Sequence, residues 1–541
     1  MRNRTGRLCA LGLILLIAFG IGWLNAQQPP EKKAPAQPAP AAGQPAPPGQ
    51  QAPASPPLEK PLSITHHTIT LNGRPFPYTA AVGTLTINKS DEQPGARIFF
   101  FAYTLDGVKY PSARPITFVF NGGPGSSSVW LHMGAWGPRR VVMTEDGFSV
   151  KPPFGLGDND NSLLDVTDLV FIDPVSTGYS RPLQGENKSQ FHGVGEDVAS
   201  VGEFIRLYIT RNERWASPKF ILGESYGTTR AAGLSGFLQG RTHGMYLNGI
   251  VLVSSVLDFQ TIMFSPGNSL SYVLFLPHYA ATAWFHKKLE AKLQAKALRD
   301  VLKEAEDFAL NEYSIALLKG NRLGQEEADK VADRLAAYTG LSREYVKQSN
   351  MRIRHDRFVK ELLRANFETV GRLDSRFKGR DEDAAGETYE FDPASAAIQG
   401  AFSTMLNHYV RTELGYKEDL PYAIYGNVYP WNFLSSPEEA EPFPGPSARF
   451  GGLNVNVAEV LRRAMSENPF LQVFCANGYY DGATPYFGTE YTFSQIGLNG
   501  EFRDRIHMGY YEAGHMMYIH RPSHLKLKSD LAEFMKRAAE K

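Results

Sequence analysis

Between residues 163 and 260 the sequence alternates continuous apolar runs with an amphipathic segment. The apolar runs are LLDVTDLVFIDPV, PKFILGES and MYLNGIVLVSSV, and GEDVASVGEFIRLYITRN, which precedes the second run, has helical periodicity. Strands that are apolar throughout, rather than at alternate residues, are typical of parallel sheets covered by helices on both faces. This part of the chain therefore predicts an α/β fold with a mostly parallel central sheet.

The segments on either side extend this prediction. Residues 61–120 are rich in β-branched and aromatic residues, and an Asn72-Gly73 pair indicates a hairpin, so we predict antiparallel strands at the N-terminal side. From 260 to 440 the strand pattern stops, and AWFHKKLEAKLQAKALRDVLKEAEDFAL and QEEADKVADRLAAYTG have helical periodicity. The strand pattern resumes with LQVFCANGYYDG near 471. We therefore expect one domain, 61–260 plus 440–541, interrupted by a mainly helical cap at 260–440.

The first 60 residues form a separate unit in the sequence. Residues 1–26 join a basic start to the apolar run CALGLILLIAFGIGWL and end in small residues, which is the layout of a cleaved signal peptide. The alternative is an uncleaved membrane anchor. Residues 27–60 consist mainly of Pro, Ala and Gln, and such a segment buries too little apolar surface to fold, so it indicates a disordered linker. We expect an exported protein, periplasmic or secreted, that touches the membrane only if the signal stays uncleaved.

Charge and cysteine content exclude several classes of protein. The 541 residues carry 56 basic and 56 acidic side chains, so no basic field favours nucleic acid as a partner. Of the two cysteines, Cys9 lies in the signal segment, so the mature chain keeps only Cys475 and forms no internal disulfide. Cys475 lies in an apolar run and is predicted to be a buried thiol. His66-His67 falls in a strand and indicates a surface feature, so we expect no metal and no cofactor.

One short segment suggests chemistry. In FILGESYGTTRAAGLSGF an apolar strand leads into a turn with Ser225 between Gly223 and Gly227, and a helical segment follows. This strand–turn–helix context is typical of a nucleophilic serine on a sharp turn, where the two glycines leave room for the backbone. The pentapeptide alone is weak evidence in a chain with 50 glycines. Its flanking strand and helix make Ser225 the candidate nucleophile.

A serine hydroxyl needs a base and a carboxylate that orients the base. Asp481 in NGYYDGATP and His515 in YYEAGHMMY follow Ser225 in the chain order that such serine enzymes use, and both lie in turn-rich segments after apolar runs. Most of the 13 histidines must be solvated or packed side chains. His520 and His524 are the nearest rivals of His515, but they lie in the more polar IHRPSHLK.

A glycine-rich loop, NGGPGSSS at 121–128, follows the strand PITFVF. Backbone N–H groups in such a loop can bind the oxyanion of an acyl-transfer reaction. The predicted donors are the N–H of Gly123 and the N–H of Tyr226, just after the candidate nucleophile. A plain turn and a phosphate-binding loop are the alternatives, and the second lacks the Gly-Lys-Ser/Thr that would complete it.

Together these segments resemble a known family. NGGPGSSS, FIDPVSTGYS, GESYG and AGHMMY appear in the same order in the serine carboxypeptidases, peptidase family S10, of carboxypeptidase Y and cathepsin A type, and the likeness extends from about 80 to 535. We interpret the chain as a bacterial-type member. The resemblance implies an α/β-hydrolase fold with a helical cap, and the triad Ser225, Asp481 and His515. It also implies oxyanion donors at Gly123 and Tyr226.

The resemblance further implies a site for the terminal carboxylate of a peptide. Asn121 and Glu224 match the positions that bind this group, and the family removes single residues from peptide C-termini, usually best in acid. A protonated Glu224 could donate a hydrogen bond to the substrate carboxylate, whereas an ionised one would repel it. In the alternative interpretation Glu224 is only a turn residue.

Two positions depart from the family pattern. Ser126 stands where members usually carry Cys, and Ala135 stands where a further glutamate supports the carboxylate-binding network. The carboxylate-binding network that the resemblance implies therefore lacks one of the family's acids. No motif in the cap predicts which side chains are preferred around the cut bond.

Three hypotheses follow from the sequence. The first is an exported serine carboxypeptidase that acts on peptides through an acyl-enzyme. The second is an esterase, amidase or acyltransferase with the same triad, which would not need Asn121 and Glu224. The third is a non-catalytic binding protein on a hydrolase scaffold, which the presence of all three triad candidates disfavours.

Overall fold

The computed structural model describes residues 59–89, 92–433, 455–497 and 500–540. The predicted signal peptide, almost all of the predicted linker and the boundary at 440 lie outside the described residues. Within them, no helix combines the length and the apolar character needed to cross a membrane.

The centre of the fold is a ten-stranded sheet in the order β1-β2-β3-β7-β4-β9-β10-β13-β14, with β8 paired to β3. Two short two-stranded sheets, β5-β6 and β11-β12, lie apart from it. The strands are β1 Ser63–Leu71, β2 Arg74–Asn88, β3 Pro94–Leu105, β4 Ile116–Phe120, β5 Arg139–Val141, β6 Leu156–Asp158, β7 Asp168–Asp173, β8 Arg181–Pro182, β9 Lys219–Glu224, β10 Gly249–Val253, β11 Thr369–Val370, β12 Lys378–Gly379, β13 Gln472–Gly478 and β14 Ile506–Tyr511.

The strand directions confirm the predicted fold class. β1, β2 and β3 pair antiparallel, and Asn72 and Gly73 form the first hairpin turn with positive φ. From β7 through β4, β9, β10 and β13 to β14 every neighbouring pair is parallel. The carboxyl ends of these six strands therefore meet at one edge of the sheet, where α/β proteins place their ligand sites.

Helices cover both faces of the sheet, as its apolar strands require. The helices are α1 Val194–Arg211, α2 Tyr226–Gln239, α3 Leu270–Phe285, α4 Ala291–Gln294, α5 Leu298–Phe308, α6 Ser314–Lys319, α7 Gln325–Thr339, α8 Arg343–Gln348, α9 His355–Glu361, α10 Pro393–Thr412, α11 Ala458–Glu467, α12 Tyr486–Gln495 and α13 Arg521–Ala539. Alternate strand residues point to opposite faces, so Ile221 packs with α1, α2 and α11, while Leu222 packs with α10 and α13.

The segment between β10 and β13 contains α3 to α11, and its part before α11 builds a third apolar core around α3, α5, α7 and α9. The run QEEADKVADRLAAYTG forms α7, which ends at Gly340 with φ 68°, as its periodicity predicts. The longer predicted run from Ala283 does not form one helix. The chain turns at Lys287, which has φ 57°, and the Trp284 indole N–H then donates to the carbonyl of Lys296 at 3.1 Å.

Candidate active site

Ser225 lies at the turn between β9 and α2, with φ 60° and ψ −130°. A non-glycine residue in this conformation is strained and is held there by its surroundings. A Cβ atom at Gly223 would lie 2.2 Å from the carbonyl oxygen of Gly227, and one at Gly227 would lie 2.9 Å from the carbonyl oxygen of Phe120. The glycines therefore allow the close approach of helix, turn and neighbouring strand that the sequence predicts.

The structure brings Asp481 and His515 together. Asp481 follows β13 and His515 follows β14, the next strand of the sheet, and the Nδ1 atom of His515 lies 2.8 Å from Oδ2 of Asp481. Both side chains are buried. The other carboxylate oxygen of Asp481 accepts the backbone N–H groups of Ala483 and Thr484, at 2.8 and 3.0 Å. This carboxylate is fixed in orientation and leaves the second nitrogen of the imidazole available.

The pair sets the protonation of both groups. Burial alone would raise the pKa of Asp481, but His515 and the hydrogen bonds from Thr484 hold it below its usual value. Burial alone would lower the pKa of His515, but Asp481 raises it above its usual value. The geometry thus supplies a histidine of increased basicity beside a carboxylate that stays ionised.

Ser225 and His515 are both attached to the carboxyl end of β10. The N–H of Ser225 donates to the carbonyl of Val253 at 3.0 Å, and the hydroxyl of Ser254 donates to the carbonyl of His515 at 2.7 Å. Within the described part of the chain, no hydrogen bond joins the Ser225 hydroxyl to the His515 ring. The two residues therefore share a backbone anchor at one end of the sheet.

The glycine-rich loop after β4 packs directly on the serine turn. A Cβ atom at Gly122 would lie 2.4 Å from the backbone nitrogen of Tyr226, and Gly123 has φ 108°. Among the hydrogen bonds of the described residues, the N–H groups of Gly123 and Tyr226 have no acceptor. Ser126, the position of the family's cysteine, is buried and accepts the indole N–H of Trp130 at 3.0 Å.

Arg230, on the first turns of α2, holds the glycine-rich loop in place. Its guanidinium donates to the backbone carbonyl of Asn121 and to the carboxylate of Asp197 on α1, both at 2.7 Å. The guanidinium also lies over the rings of Phe120 and Tyr226. This residue was not predicted from the sequence, although an arginine five positions after the candidate nucleophile was a usable signal.

Glu224 lies beside Ser225 in a buried polar cluster. The Tyr518 hydroxyl donates to Glu224 Oε2 at 2.6 Å. Asn121 Oδ1 accepts the N–H of Leu131 at 3.0 Å. Burial raises the pKa of Glu224 to about 7, against the opposing effects of the His515 charge and of the Tyr518 and Asn121 side chains.

Tyr518 was not predicted from the sequence either. It lies three residues after His515, and its hydroxyl donates to Glu224. The carbonyl of Ala135 accepts Nε2 of His524 at 2.9 Å. His520 bonds to Ser523, so neither rival histidine is paired with a carboxylate as His515 is.

The segment 371–375, between β11 and β12, holds the loops of Asp481 and His515 through its backbone and one carboxylate. The N–H of His515 donates to the carbonyl of Leu373 at 2.7 Å, and the N–H of Gly482 donates to the carbonyl of Arg372 at 3.0 Å. Asp374 accepts the N–H of Gly514 at 3.0 Å. Within the described residues, no group of three or more His, Cys, Asp or Glu side chains is arranged to hold a metal ion.

Comparisons with known proteins point to one family. The family model for serine carboxypeptidases matches residues 74–316, which include the glycine-rich loop and Ser225. Over these residues the chain is similar to the serine carboxypeptidases.

Sequence identity to individual serine carboxypeptidases is low. Serine carboxypeptidase-like 45 of Arabidopsis thaliana is 27% identical over 37% of this chain, and the pheromone-processing carboxypeptidase KEX1 of Yarrowia lipolytica is 26% identical over 41%. The chain spans 41% and 33% of the length of these two relatives. The crystal structure of KEX1(delta)p, a prohormone-processing carboxypeptidase from Saccharomyces cerevisiae, aligns with a TM-score of 0.50 at 16% identity, over 85% of this chain and 91% of that one. This last likeness concerns the fold.

Proposed function

We propose that this protein is an exported serine carboxypeptidase that removes C-terminal residues from peptides through an acyl-enzyme. The observation that carries the proposal is the buried Asp481–His515 pair at the same sheet edge as Ser225 in its strained turn. The match of residues 74–316 to the serine carboxypeptidase model supports peptidase chemistry. Export rests on the N-terminal sequence of residues 1–26.

In the proposed reaction the Ser225 hydroxyl attacks the carbonyl carbon of the last peptide bond. His515 accepts the serine proton at Nε2, and Asp481 stabilises the imidazolium that forms. The N–H groups of Gly123 and Tyr226 bind the developing oxyanion. The imidazolium then protonates the leaving amine, and the acyl-enzyme is hydrolysed by a water that His515 deprotonates.

Selection of a chain end is assigned to Asn121 and Glu224. A protonated Glu224 donates a hydrogen bond to the terminal carboxylate, and its raised pKa of about 7 keeps it protonated in acid and partly protonated at neutral pH. His515 must be neutral to act as a base, and its pKa is also raised. The two requirements oppose each other, so we expect activity on free-acid peptides to peak near neutral pH and to fall on both sides.

The proposal is tested with blocked dipeptides in two forms, the free acid and the C-terminal amide. We expect release of the last residue from the free acid at much higher kcat/KM than from the amide, together with covalent labelling of Ser225 by a fluorophosphonate probe. Equal rates on acid and amide would favour an esterase or amidase on the same triad. A protein that neither labels nor cleaves would be a binding protein, contrary to the proposal.

A further inference from the structure

Arg372 is a cation without an ion-pair partner beside the candidate active site. It is partly buried, it lies in the segment 371–375, and within the described residues its guanidinium makes no hydrogen bond or ion pair. Its backbone is fully engaged, because its N–H donates to Asp392 and its carbonyl accepts the N–H of Gly482 in the Asp481 loop. The backbone of Arg372 therefore supports the Asp481 loop, while its guanidinium is available for another contact.

The carboxylate of Asp392, which binds the backbone of Arg372, is already engaged in hydrogen bonds with the backbone. Asp392 accepts the backbone N–H groups of Arg372, Leu373 and Ala394, each at 3.0 Å, and so caps α10 while it fixes the segment 371–375. The structure records no ion pair between its carboxylate and the guanidinium of Arg372 in the part of the chain that it describes. A partly buried guanidinium without a protein partner is available to bind an anion.

A second segment of the insertion, around Tyr425, contacts the glycine-rich loop. Tyr425 pairs with Ser126 as an isolated bridge, and its ring lies 5.8 Å from that of Trp130. Burial raises the pKa of Tyr425 to about 12, and the charges of Glu224 and Arg372 both act on its hydroxyl. The charge of Arg372 also acts on His515. The guanidinium of Arg372 therefore lies close enough to interact with the charge of His515. It also interacts with the Tyr425 hydroxyl, on which Glu224 acts as well.

We propose that the guanidinium of Arg372 binds a carboxylate carried by the leaving residue of the substrate. Guanidinium and carboxylate form paired hydrogen bonds of well-defined geometry. A cation at this position supplies the charge that two neutral donors lack, in a network where Ala135 replaces a further acid. The inference rests on the proposed function and adds the residue that recognises charge.

The carboxylate has two possible sources, the chain terminus and an acidic side chain of the leaving residue. Three blocked dipeptides separate them: Phe-Leu as free acid, Phe-Leu as amide, and Phe-Glu as amide. For Arg372→Met we expect kcat/KM on the free acid to fall about tenfold or more, mainly through KM, with the amide of Phe-Leu unchanged. Arg372→Lys should lose less, because it keeps the charge and loses the paired geometry.

The matched control is Arg380→Met, which removes an exposed arginine of the same insertion. A loss confined to Phe-Glu amide would assign Arg372 to an acidic side chain, and a loss on the free acid of Phe-Leu assigns it to the terminus. A loss of equal size on all three substrates, or no loss on any, overturns the inference. Thermal melting of each variant shows whether the fold is intact.

A second measurement does not depend on turnover. Binding of 3-phenylpropanoate, a small aromatic carboxylate, is compared with binding of its amide by calorimetry. We expect wild type to prefer the acid and Arg372→Met to lose that preference, whereas unchanged preference in the variant contradicts the inference. Failure of the proposed function would appear differently, as a wild-type protein that binds the acid yet releases no C-terminal residue.

Discussion

The carboxyl edge of the sheet and the insertion between β10 and β13 contribute to the candidate site in different ways. The sheet edge supplies side chains, namely Ser225, Asp481 and His515, each in the turn that follows a parallel strand. The insertion holds the same loops mainly through backbone carbonyls, those of Arg372 and Leu373. A backbone carbonyl can accept the same hydrogen bond whichever side chain its residue carries. The insertion can therefore change its side chains, and with them substrate recognition, while the chemistry stays fixed.

The two regions also differ in where their charges lie. Arg230 and Asp197, under the glycine-rich loop, are 1% and 2% exposed, whereas Lys330 and Glu326, on α7 of the insertion, are 72% and 85% exposed. A buried pair that loses one member leaves an uncompensated charge, whereas an exposed pair is replaced by water. Charge near the sheet edge is thus part of the scaffold, and charge on α7 serves mainly solubility.

The most direct way to separate chemistry from recognition is to remove the nucleophile. We expect Ser225→Ala to lower kcat on every cleaved substrate by about four orders of magnitude or more, because the attacking oxygen is lost. The measurement is single-turnover release of leucine from a blocked dipeptide. Ser466→Ala, at an exposed serine on α11, serves as the control and should match wild type. Normal release by Ser225→Ala would end the triad assignment.

Removing Arg230 tests the buried scaffold. We expect Arg230→Met to lower the free energy of unfolding by about 3–5 kcal/mol, because Asp197 is left buried without its partner. Urea denaturation followed by circular dichroism provides the value. The comparison with the insertion is sharpened by Lys330→Met, which breaks the exposed pair and should leave the unfolding midpoint nearly unchanged. Equal effects of the two changes would contradict the distinction between the regions.

Replacing Glu224 tests the pH dependence of carboxylate recognition. Since the pKa of Glu224 is about 7, each pH unit above it removes about nine tenths of the protonated form, and binding of free-acid peptides weakens as pH rises. Glu224→Gln keeps a neutral donor, so we expect the alkaline fall of kcat/KM on free acids to disappear.

The fall on the acid side should remain in Glu224→Gln, because it reports protonation of His515. Glu512→Gln, at an exposed glutamate three residues before His515, is the control and should keep the alkaline fall. An alkaline fall that persists in Glu224→Gln would remove Glu224 from carboxylate recognition.

The smallest effect is expected from Tyr518→Phe. The hydroxyl of Tyr518 stabilises the ionised form of Glu224, so its removal should raise the pKa of Glu224 and move the alkaline fall to higher pH. We expect a change of several-fold in KM for free acids, the effect of one lost hydrogen bond. Tyr246→Phe, at an exposed tyrosine, is the control. A shift of the alkaline fall to lower pH would contradict this account.

Local patterns in the sequence predicted most of the fold. The hairpin at Asn72-Gly73, the apolar strands β7, β9 and β10, and α7 each formed because neighbouring residues carry the signal, through turn preference or periodicity. The break at Lys287 was not predictable in the same way. The periodicity continues through it, and the reversal is stabilised by contacts such as that of Trp284 with Lys296, which exist only after the chain has folded back.

The sequence by itself determined the identity and order of the candidate nucleophile, acid and base, because glycines at a sharp turn and the family's four segments are local in the chain. Only the tertiary structure decided what supports them. Arg230 contacts Asn121, which lies 109 residues earlier in the chain, and Tyr518 contacts Glu224, 294 residues earlier. The carbonyl of Arg372 accepts a hydrogen bond from the Asp481 loop, 110 residues later. Such partners carry no spacing signal, since their proximity arises from the order of strands in the sheet and from the folding back of the insertion.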